Sequence, residues 1–291
     1  QAAHFLEGKP IKGTDFIYEN VFYLADKLGI SYSLAPPTEI DIKKKRVLQA
    51  YEAISDALSS SQPSSEGLSC FLTNREVTLE QLNSNHIGSI TIEEVHNLLV
   101  ELGLDDIEVD AGLTYKLLFG ANRLTFSLLD NKRRVVSFIS RALDDSEPRY
   151  YHMPSTSELR NQITSYSSVL YGEHQLDNKP SKVLIVEGHT DALSLWLAGE
   201  REVVAIGGLA LRASQLSRLK AAGKYIITLC VDNDQAGLNF LKHRVESEDD
   251  LFEGFDVSIK QLYDAKDPEE FIRKFGLEVF NSIKEVSWLD F

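Results

Sequence analysis

The chain contains little sulfur and no long apolar stretch. Only two cysteines and one methionine occur in 291 residues, and Cys70 and Cys230 stand far apart in apolar surroundings. Such a pair builds neither a disulfide framework nor a zinc ribbon, so we expect a reducing, cytoplasmic setting. No run is long enough to span a membrane, and no secretory signal pattern opens the chain. We therefore expect no membrane partner.

The chain also lacks an excess of basic residues. It has 30 Lys and Arg against 44 Asp and Glu, which gives a net charge of -14. Taken alone, this balance argues against a nucleic-acid-binding surface. Hydrophobic residues make up 43%, enough for a folded core divided into two or three subdomains. Because the first residue is Gln1 rather than Met, we expect a piece of a longer protein.

Two apolar, largely β-branched runs end in carboxylates. Residues 183–187 read Val-Leu-Ile-Val-Glu, and residues 225–234 read Tyr-Ile-Ile-Thr-Leu-Cys-Val-Asp-Asn-Asp. Such runs predict buried parallel strands. Ligands of open α/β sheets bind beyond the carboxyl ends of such strands. The pattern therefore predicts a functional site at Glu187, Asp232 and Asp234.

The spacing of these acids indicates a metal site. Asp232 and Asp234 point to the same side of an extended segment, and the helix after Gly188 brings Asp191 back over the strand end. Crowded carboxylates repel one another at low dielectric, and a divalent cation relieves that repulsion. Hard oxygen ligands without a His or Cys cluster favour Mg²⁺ or Mn²⁺ over Zn²⁺. The alternative is a doubly wound domain with ordinary acidic strand ends.

Strands and helices alternate through this part of the chain. We predict strands at Val183–Val186, Val203–Ile206, Tyr225–Val231 and Val257–Leu262, with helices between them at Asp191–Ala198, Arg212–Ala222 and Gln235–Val245. This alternation predicts an α/β, Rossmann-like, mostly parallel sheet with right-handed crossovers.

The preceding residues predict an α+β subdomain. We expect helices at 16–30, 40–58 and 92–102, a Ser-rich loop at 59–69, and a short helix capped by Thr78. Alternating residues on both sides of Asp130-Asn-Lys-Arg133 predict a β-hairpin.

The carboxylate motifs resemble the Toprim domain, which primases, topoisomerases and some nucleases share. The resemblance lies in Glu187-Gly188 at one strand end and Asp232-x-Asp234-x-x-Gly237 at a later one.

The upstream motifs resemble, in order, the RNA polymerase domain of bacterial DnaG-type primases. They are residues 70–75, the hairpin at 122–143, residues 148–150 and residues 170–172. A divergent match of this kind suggests a bacteriophage source. Arg133 stands where the family has a turn glycine, and the family's His-Lys-Gly is replaced near Tyr166.

The resemblance implies a DNA primase core that makes short RNA primers on single-stranded DNA from ribonucleoside triphosphates, with two or more Mg²⁺ or Mn²⁺ ions. It implies catalytic roles for Glu187, Asp232 and Asp234, and metal ligands at these three with Asp191, Asp267 and Glu269. The implied nucleotide and template contacts are Arg75, Arg123, Arg141, Arg149, Tyr150, Gly207 and Gly208.

The resemblance also implies a domain layout. Residues 1–35 are expected to follow a zinc-binding module whose ligands are absent, which would impair initiation while elongation remains. An N-terminal α+β subdomain covers 36–180, the Toprim domain covers 181–263, and 264–291 begin a helical subdomain. A replicative helicase is expected to bind regions outside this chain.

Three other interpretations account for parts of the sequence. A Toprim nuclease shares the carboxylates, but the motifs upstream of Ser181 argue against it. A topoisomerase needs a catalytic tyrosine on a separate domain, for which the sequence gives no context. A non-enzymatic scaffold for a helicase predicts that changing Asp232 leaves activity intact, and retention of the acid set argues against it.

Overall fold

The computed structural model of this chain describes residues 16–30, 36–63, 65–154, 163, 169–177, 181–207, 211–233 and 251–290. Asp234, Gly208 and the helix predicted at Gln235–Val245 lie outside the described residues. The chain divides into two compact units, residues 1–42 and 43–291.

The first unit contains a short helical segment. Phe16–Phe22 form a π-helix that continues into α1, Tyr23–Lys27, within the helix predicted at 16–30. Helix α2, Glu39–Ser60, begins in this unit and continues in the second. The Asp41 carboxylate accepts hydrogen bonds from the Thr38 amide at 3.0 Å and from its hydroxyl at 2.6 Å, which fixes the start of α2.

Helices of the second unit's first half surround an antiparallel sheet. They are α3 (Glu66–Arg75), α4 (Leu79–Asn83) and α5 (Ile92–Glu101), with a 3₁₀ turn at Asp105–Ile107. The prediction of loop through residue 69 is wrong, because Ser65 caps α3 by accepting a hydrogen bond from the Leu68 amide at 3.1 Å. The predicted Thr78 cap is confirmed as a capping box with Gln81.

The first sheet has the order β1-β2-β3-β4 and is antiparallel throughout. Its strands are Ile87–Gly88, Arg123–Leu129, Val135–Ala142 and Tyr150–His152. The predicted hairpin is confirmed as β2–β3, whose turn contains Asp130 and Arg133. A core that includes Tyr51, Phe119 and Phe138 packs α2 and α5 under this sheet.

The second sheet has the order β6-β5-β7-β8-β9. Its strands are β5 (Lys182–Val186), β6 (Val203–Ala205), β7 (Ile226–Cys230), β8 (Asp256–Lys260) and β9 (Glu285–Ser287). The first four are parallel and β9 is antiparallel, which confirms the mostly parallel α/β architecture. Apolar side chains on both faces of β5 and β7 enter separate core clusters, as expected of a sheet covered on both sides.

In the described part of the chain, three helices belong to this sheet: α6 (His189–Ala198), α7 (Ala213–Ala221) and α8 (Pro268–Ser282). The prediction that residues 264–291 are helical holds for α8 but is wrong beyond it, because β9 returns to pair with β8. Within the described residues, none of the helices combines the length and the apolar character needed to cross a membrane.

A buried ion pair joins the two sheets. Glu173, only 6% exposed, accepts hydrogen bonds from the amide of Asn131 in the β2–β3 turn at 2.9 Å and from the Leu170 amide at 3.2 Å. Both its oxygens also pair with the Arg218 guanidinium on α7. The hairpin turn and α7 therefore share one carboxylate.

Candidate active site

Neighbouring parallel strands bring Glu187 and Asp232 together. Val186 pairs with Cys230 at the carboxyl ends of β5 and β7, and each acid follows within two residues. The Asp232 amide donates a hydrogen bond to Glu187 Oε1 at 3.0 Å. The predicted juxtaposition of these two acids is therefore present in the fold.

Asp191 connects the strand end to the last helix. The Gly188 amide donates to Asp191 Oδ2 at 3.1 Å, and the Glu269 amide donates to Oδ1 at 3.1 Å. The side chain is 5% exposed. Because both oxygens accept backbone amides, Asp191 positions the start of α6 against the start of α8.

Asp267 and Glu269 reach the same place from α8. Asp267 is the N-cap, with Oδ1 accepting a hydrogen bond from the Glu270 amide at 2.8 Å and Pro268 as the first helical residue. Glu269 Oε1 lies 2.8 Å from Arg75 Nε on α3. Sequence reasoning placed both acids near the strand ends only through a family resemblance, because their own cap pattern explains them equally well.

Charge repulsion marks this group of acids. Burial raises the pKa of Asp191 well above its ordinary value, and the charges of Asp267 and Asp232 raise it further. Oxygen donors under such repulsion fit a divalent cation, which supplies the missing positive charge. Among the described residues, which exclude Asp234, no three acidic, His or Cys side chains are already arranged as a metal centre. The ligand roles assigned to individual acids stay predictions.

A cavity of about 580 Å³, called the arginine cavity below, adjoins the acid group, and its lining includes three arginines and the acids Asp144, Asp145 and Glu147. Arg75, Arg141 and Arg149 line it, and the first two guanidiniums lie 4.4 and 5.0 Å from the centre of the Phe71 ring. Burial lowers the pKa of Arg141, as do the charges of Arg75 and Arg149. Arg141 Nε is buried and has no hydrogen-bond partner in the described part of the chain. Arg141 Nε is therefore a donor in this cavity that remains available to an anion, and Arg75 joins the cavity to Glu269.

Arg123 is not among the residues that line this cavity, and its predicted contact with nucleotide or template stays a prediction. The residue is 5% exposed, and its guanidinium donates to Ser140 Oγ at 2.9 Å and to the Pro148 carbonyl at 3.0 Å. Those bonds use the guanidinium to hold the segment before Arg149. Arg123 therefore shapes the cavity wall from behind.

Gly207 packs against an aromatic group that sequence reasoning missed. Its φ is +67°, its amide donates to the Glu187 carbonyl at 3.0 Å, and a Cβ would lie 2.9 Å from the His189 ring. His189 contacts Tyr171 and Tyr150 at ring distances of 4.9 and 5.9 Å. Burial lowers the pKa of His189 to about 3, so the ring is neutral. Tyr150 thus contacts both His189 and Arg141, whose guanidinium lies 5.9 Å from the centre of its ring.

Phe71 was also missed. It lies inside a motif that the sequence singled out, but a Phe in an apolar helix face predicts only core packing. The only available signal was Arg75 four residues later, which places the guanidinium over the ring on one helix face.

Comparison with known proteins identifies the fold. Residues 184–272 match the Toprim-like family model. A DNA primase of Clostridium acetobutylicum is 38% identical over 176 residues, which cover 58% of this chain and 28% of that protein. A DNA primase of Staphylococcus epidermidis is 26% identical over 290 residues, covering 93% of this chain and 47% of that protein. The chain thus spans less than half the length of these relatives.

Solved primase structures have the same architecture. The RNA polymerase domain of Mycobacterium tuberculosis primase DnaG matches with a TM-score of 0.72 at 20% identity, with 84% of each chain covered. The Aquifex aeolicus primase, solved with its zinc-binding and RNA polymerase domains, matches with a TM-score of 0.69 at 23% identity, covering 92% of this chain and 68% of that one. The chain contains a Toprim-like domain within the fold of the RNA polymerase domain of DnaG-type primases, and it is related to those primases in sequence.

Proposed function

We propose that this chain is the catalytic core of a DNA primase, which joins ribonucleotides into short primers on a single-stranded DNA template. The observation that carries the proposal is the contact between Arg75 and Glu269, at 2.8 Å, which joins the acid group to the three-arginine cavity. A primer-synthesising site needs both parts side by side, one for cations and one for phosphates. Sequence relatives are named DNA primases, and one structural neighbour was solved with single-stranded DNA bound.

The acids have distinct roles in this proposal. Two or more bound Mg²⁺ or Mn²⁺ ions supply Lewis-acid stabilisation of the charge that develops on the reacting oxygens. Asp232, Asp234, Asp267 and Glu269 hold those ions. Glu187 shares this task or assists proton transfer. Asp191 accepts hydrogen bonds from the amides of Gly188 and Glu269, and these bonds hold the end of β5 and the start of α8 next to each other.

Basic residues complete the site. Arg141 and Arg149 bind phosphates of the incoming triphosphate or the template. Arg75 holds Glu269 in position at the boundary between the cavity and the acid group. Tyr150 and the glycine turn at Gly207 border the nucleotide. The proposed partners are single-stranded DNA, ribonucleoside triphosphates and the RNA primer, with a replicative helicase bound through other regions. Such an enzyme acts in the cytoplasm of a bacterium or of a phage-infected host.

The test is a primer-extension assay with labelled ribonucleotides and Mg²⁺ or Mn²⁺. Asp232→Asn is compared with the parent chain and with Asp105→Asn, which removes one exposed carboxylate from a 3₁₀ turn. We expect the RNA to lengthen with the parent and with Asp105→Asn. The rate of extension should fall on the order of 100-fold or more with Asp232→Asn. A pre-annealed RNA primer separates elongation from initiation.

Three results would contradict the proposal. Unchanged extension by Asp232→Asn would exclude this acid from the reaction, and no extension by the parent would favour the scaffold interpretation. Shortening of the DNA template in the parent, lost in the same variant, would favour a nuclease. Efficient priming without an annealed primer would contradict only the expectation that initiation needs a zinc module.

A further inference from the structure

A second cavity, with more basic than acidic residues in its lining, lies at the opposite ends of both sheets. It has a volume of about 420 Å³, and its lining includes Arg133, Arg201, His86 and His174. Arg133 belongs to the β2–β3 turn, whereas Arg141 lies near the other end of β3, a strand about 25 Å long. Arg201 precedes β6, so it lies at the amino ends of the parallel strands. This cavity is therefore separate from the acid group.

The two guanidiniums are not neutralised within the fold. Arg133 and Arg201 are exposed, and neither side chain has an ion pair or hydrogen bond in the part of the chain that the structure describes. The nearest buried acids are already paired, since Asp130 binds Arg134 at 2.7 Å and Glu173 binds Arg218. Asp177 is the one acid among the described residues that line this cavity, so Arg133 and Arg201 together leave it with a local excess of positive charge that attracts anions.

The backbone of this cavity is held in a costly conformation. Arg133 has a φ of +62° and His86 a φ of +57°, in a region that residues other than glycine rarely adopt. The Arg133 amide donates to the Asp130 carbonyl at 2.8 Å, and the His86 carbonyl accepts from the Ser127 amide at 3.1 Å. Glycine would satisfy the Arg133 turn with less strain, so folding alone does not explain an arginine there. Strained residues of this kind cluster at functional sites.

The remaining lining adds polarity and one negative charge. Burial lowers the pKa of His174 to about 4, so its ring is a neutral hydrogen-bonding group at pH 7. Asp177 is exposed at the rim and opposes the arginines. A cavity of this size suits a small molecule.

We propose that this cavity binds a small phosphate-bearing anion of the nucleotide class, held by Arg133 and Arg201. The site is a second one, away from the proposed polymerisation chemistry, and it requires no metal ion. Bidentate guanidinium–phosphate contacts supply the recognition.

The experiment measures binding of inorganic pyrophosphate and of adenosine diphosphate to the whole chain, by calorimetry in EDTA. The test variant is Arg133→Gly with Arg201→Ala. The control, Lys116→Ala with Lys284→Ala, removes two exposed charges elsewhere. A second control, Arg149→Ala, removes a charge from the arginine cavity beside the acid group. We expect the dissociation constant of the test variant to rise at least tenfold. The dissociation constants of both controls at this site should stay within twofold of that of the parent.

Two further readouts keep folding and location separate from affinity. Because glycine suits the Arg133 turn, the test variant should unfold at the same urea concentration as the parent or a higher one. Amide resonances of Arg133 and His174 should shift with adenosine diphosphate, while that of Asp232 does not. The proposal would be overturned if the lysine control weakened binding equally or if the test variant did not weaken it. It would also be overturned if a single-stranded oligonucleotide bound at these amides more tightly than adenosine diphosphate.

Discussion

Replacing Arg218 by methionine should destabilise the fold through the acid that it leaves behind. Glu173 is 6% exposed and receives two backbone amides together with the Arg218 guanidinium. Methionine keeps most of the apolar stem, so the change removes mainly the charge. Glu173 would then be buried without a counter-charge.

The expected loss follows from the burial of the pair. Removing one partner of a buried ion pair costs about 3–5 kcal/mol. The Arg218 side chain is 29% exposed, so water partly screens the site. We therefore expect a loss near the lower end, about 3 kcal/mol of the free energy of unfolding.

Urea denaturation, followed by tryptophan fluorescence and by circular dichroism, provides the measurement. The matched control is Lys182→Met, which breaks a 2.8 Å pair with Glu285 on the surface, where the lysine side chain is 47% exposed. Such a pair contributes less than about 1 kcal/mol. A second variant, Arg218→Met with Glu173→Leu, should recover only part of the loss, because the Asn131 and Leu170 amides lose their acceptor.

Two outcomes would refute this reasoning. If Arg218→Met cost no more than Lys182→Met, the pair would be screened like a surface pair. If the double variant matched the parent in stability, the two hydrogen bonds from backbone amides to Glu173 would contribute nothing to the free energy of unfolding.

Three further predictions concern other positions. Gly172→Ala should cost about 2 kcal/mol or more in urea denaturation, because φ is +95° and the added Cβ would overlap the Trp196 ring. The pKa of His174 falls from an ordinary 6.5 to about 4 in the fold, so the unfolded chain binds more protons between these values and stability falls as pH is lowered through them. The parent should lose about 2 kcal/mol at this position between pH 7 and pH 5, and His174→Gln should lack that component when unfolding free energies at the two pH values are compared. Arg75→Met should raise the ribonucleotide KM about tenfold in primer extension, because Glu269 loses its charged partner.

Local patterns predicted most of the second sheet. The apolar runs at 183–187 and 225–234 identified β5 and β7, and their adjacency explains why Glu187 and Asp232 meet. The bond from the Glu269 amide to Asp191 was not predictable, because it joins residues 78 apart through the docking of α8.

The failures have physical reasons as well. The burial of Arg123 was not predictable, because only the fold supplies its internal acceptors. The Ser-rich stretch at 59–69 hid the start of α3, because serine favours loops and helix caps alike. Strand β9 is three residues long, too short for a period to be detected.

The hydrogen bond from the Glu269 amide to Asp191 makes the activity of the site depend on whether α8 stays folded against it. Helix α8 begins at Pro268 and brings Asp267 and Glu269 to Asp191 on α6, beside the acids that follow β5 and β7. Partial opening that releases only α8 would leave the β5–β7 pairing intact. The site would then lose its acids from α8, and the buried Asp191 would lose a hydrogen-bond donor. Activity would disappear at denaturant concentrations where most of the secondary structure persists, and hydrogen exchange of the α8 amides would report the same transition.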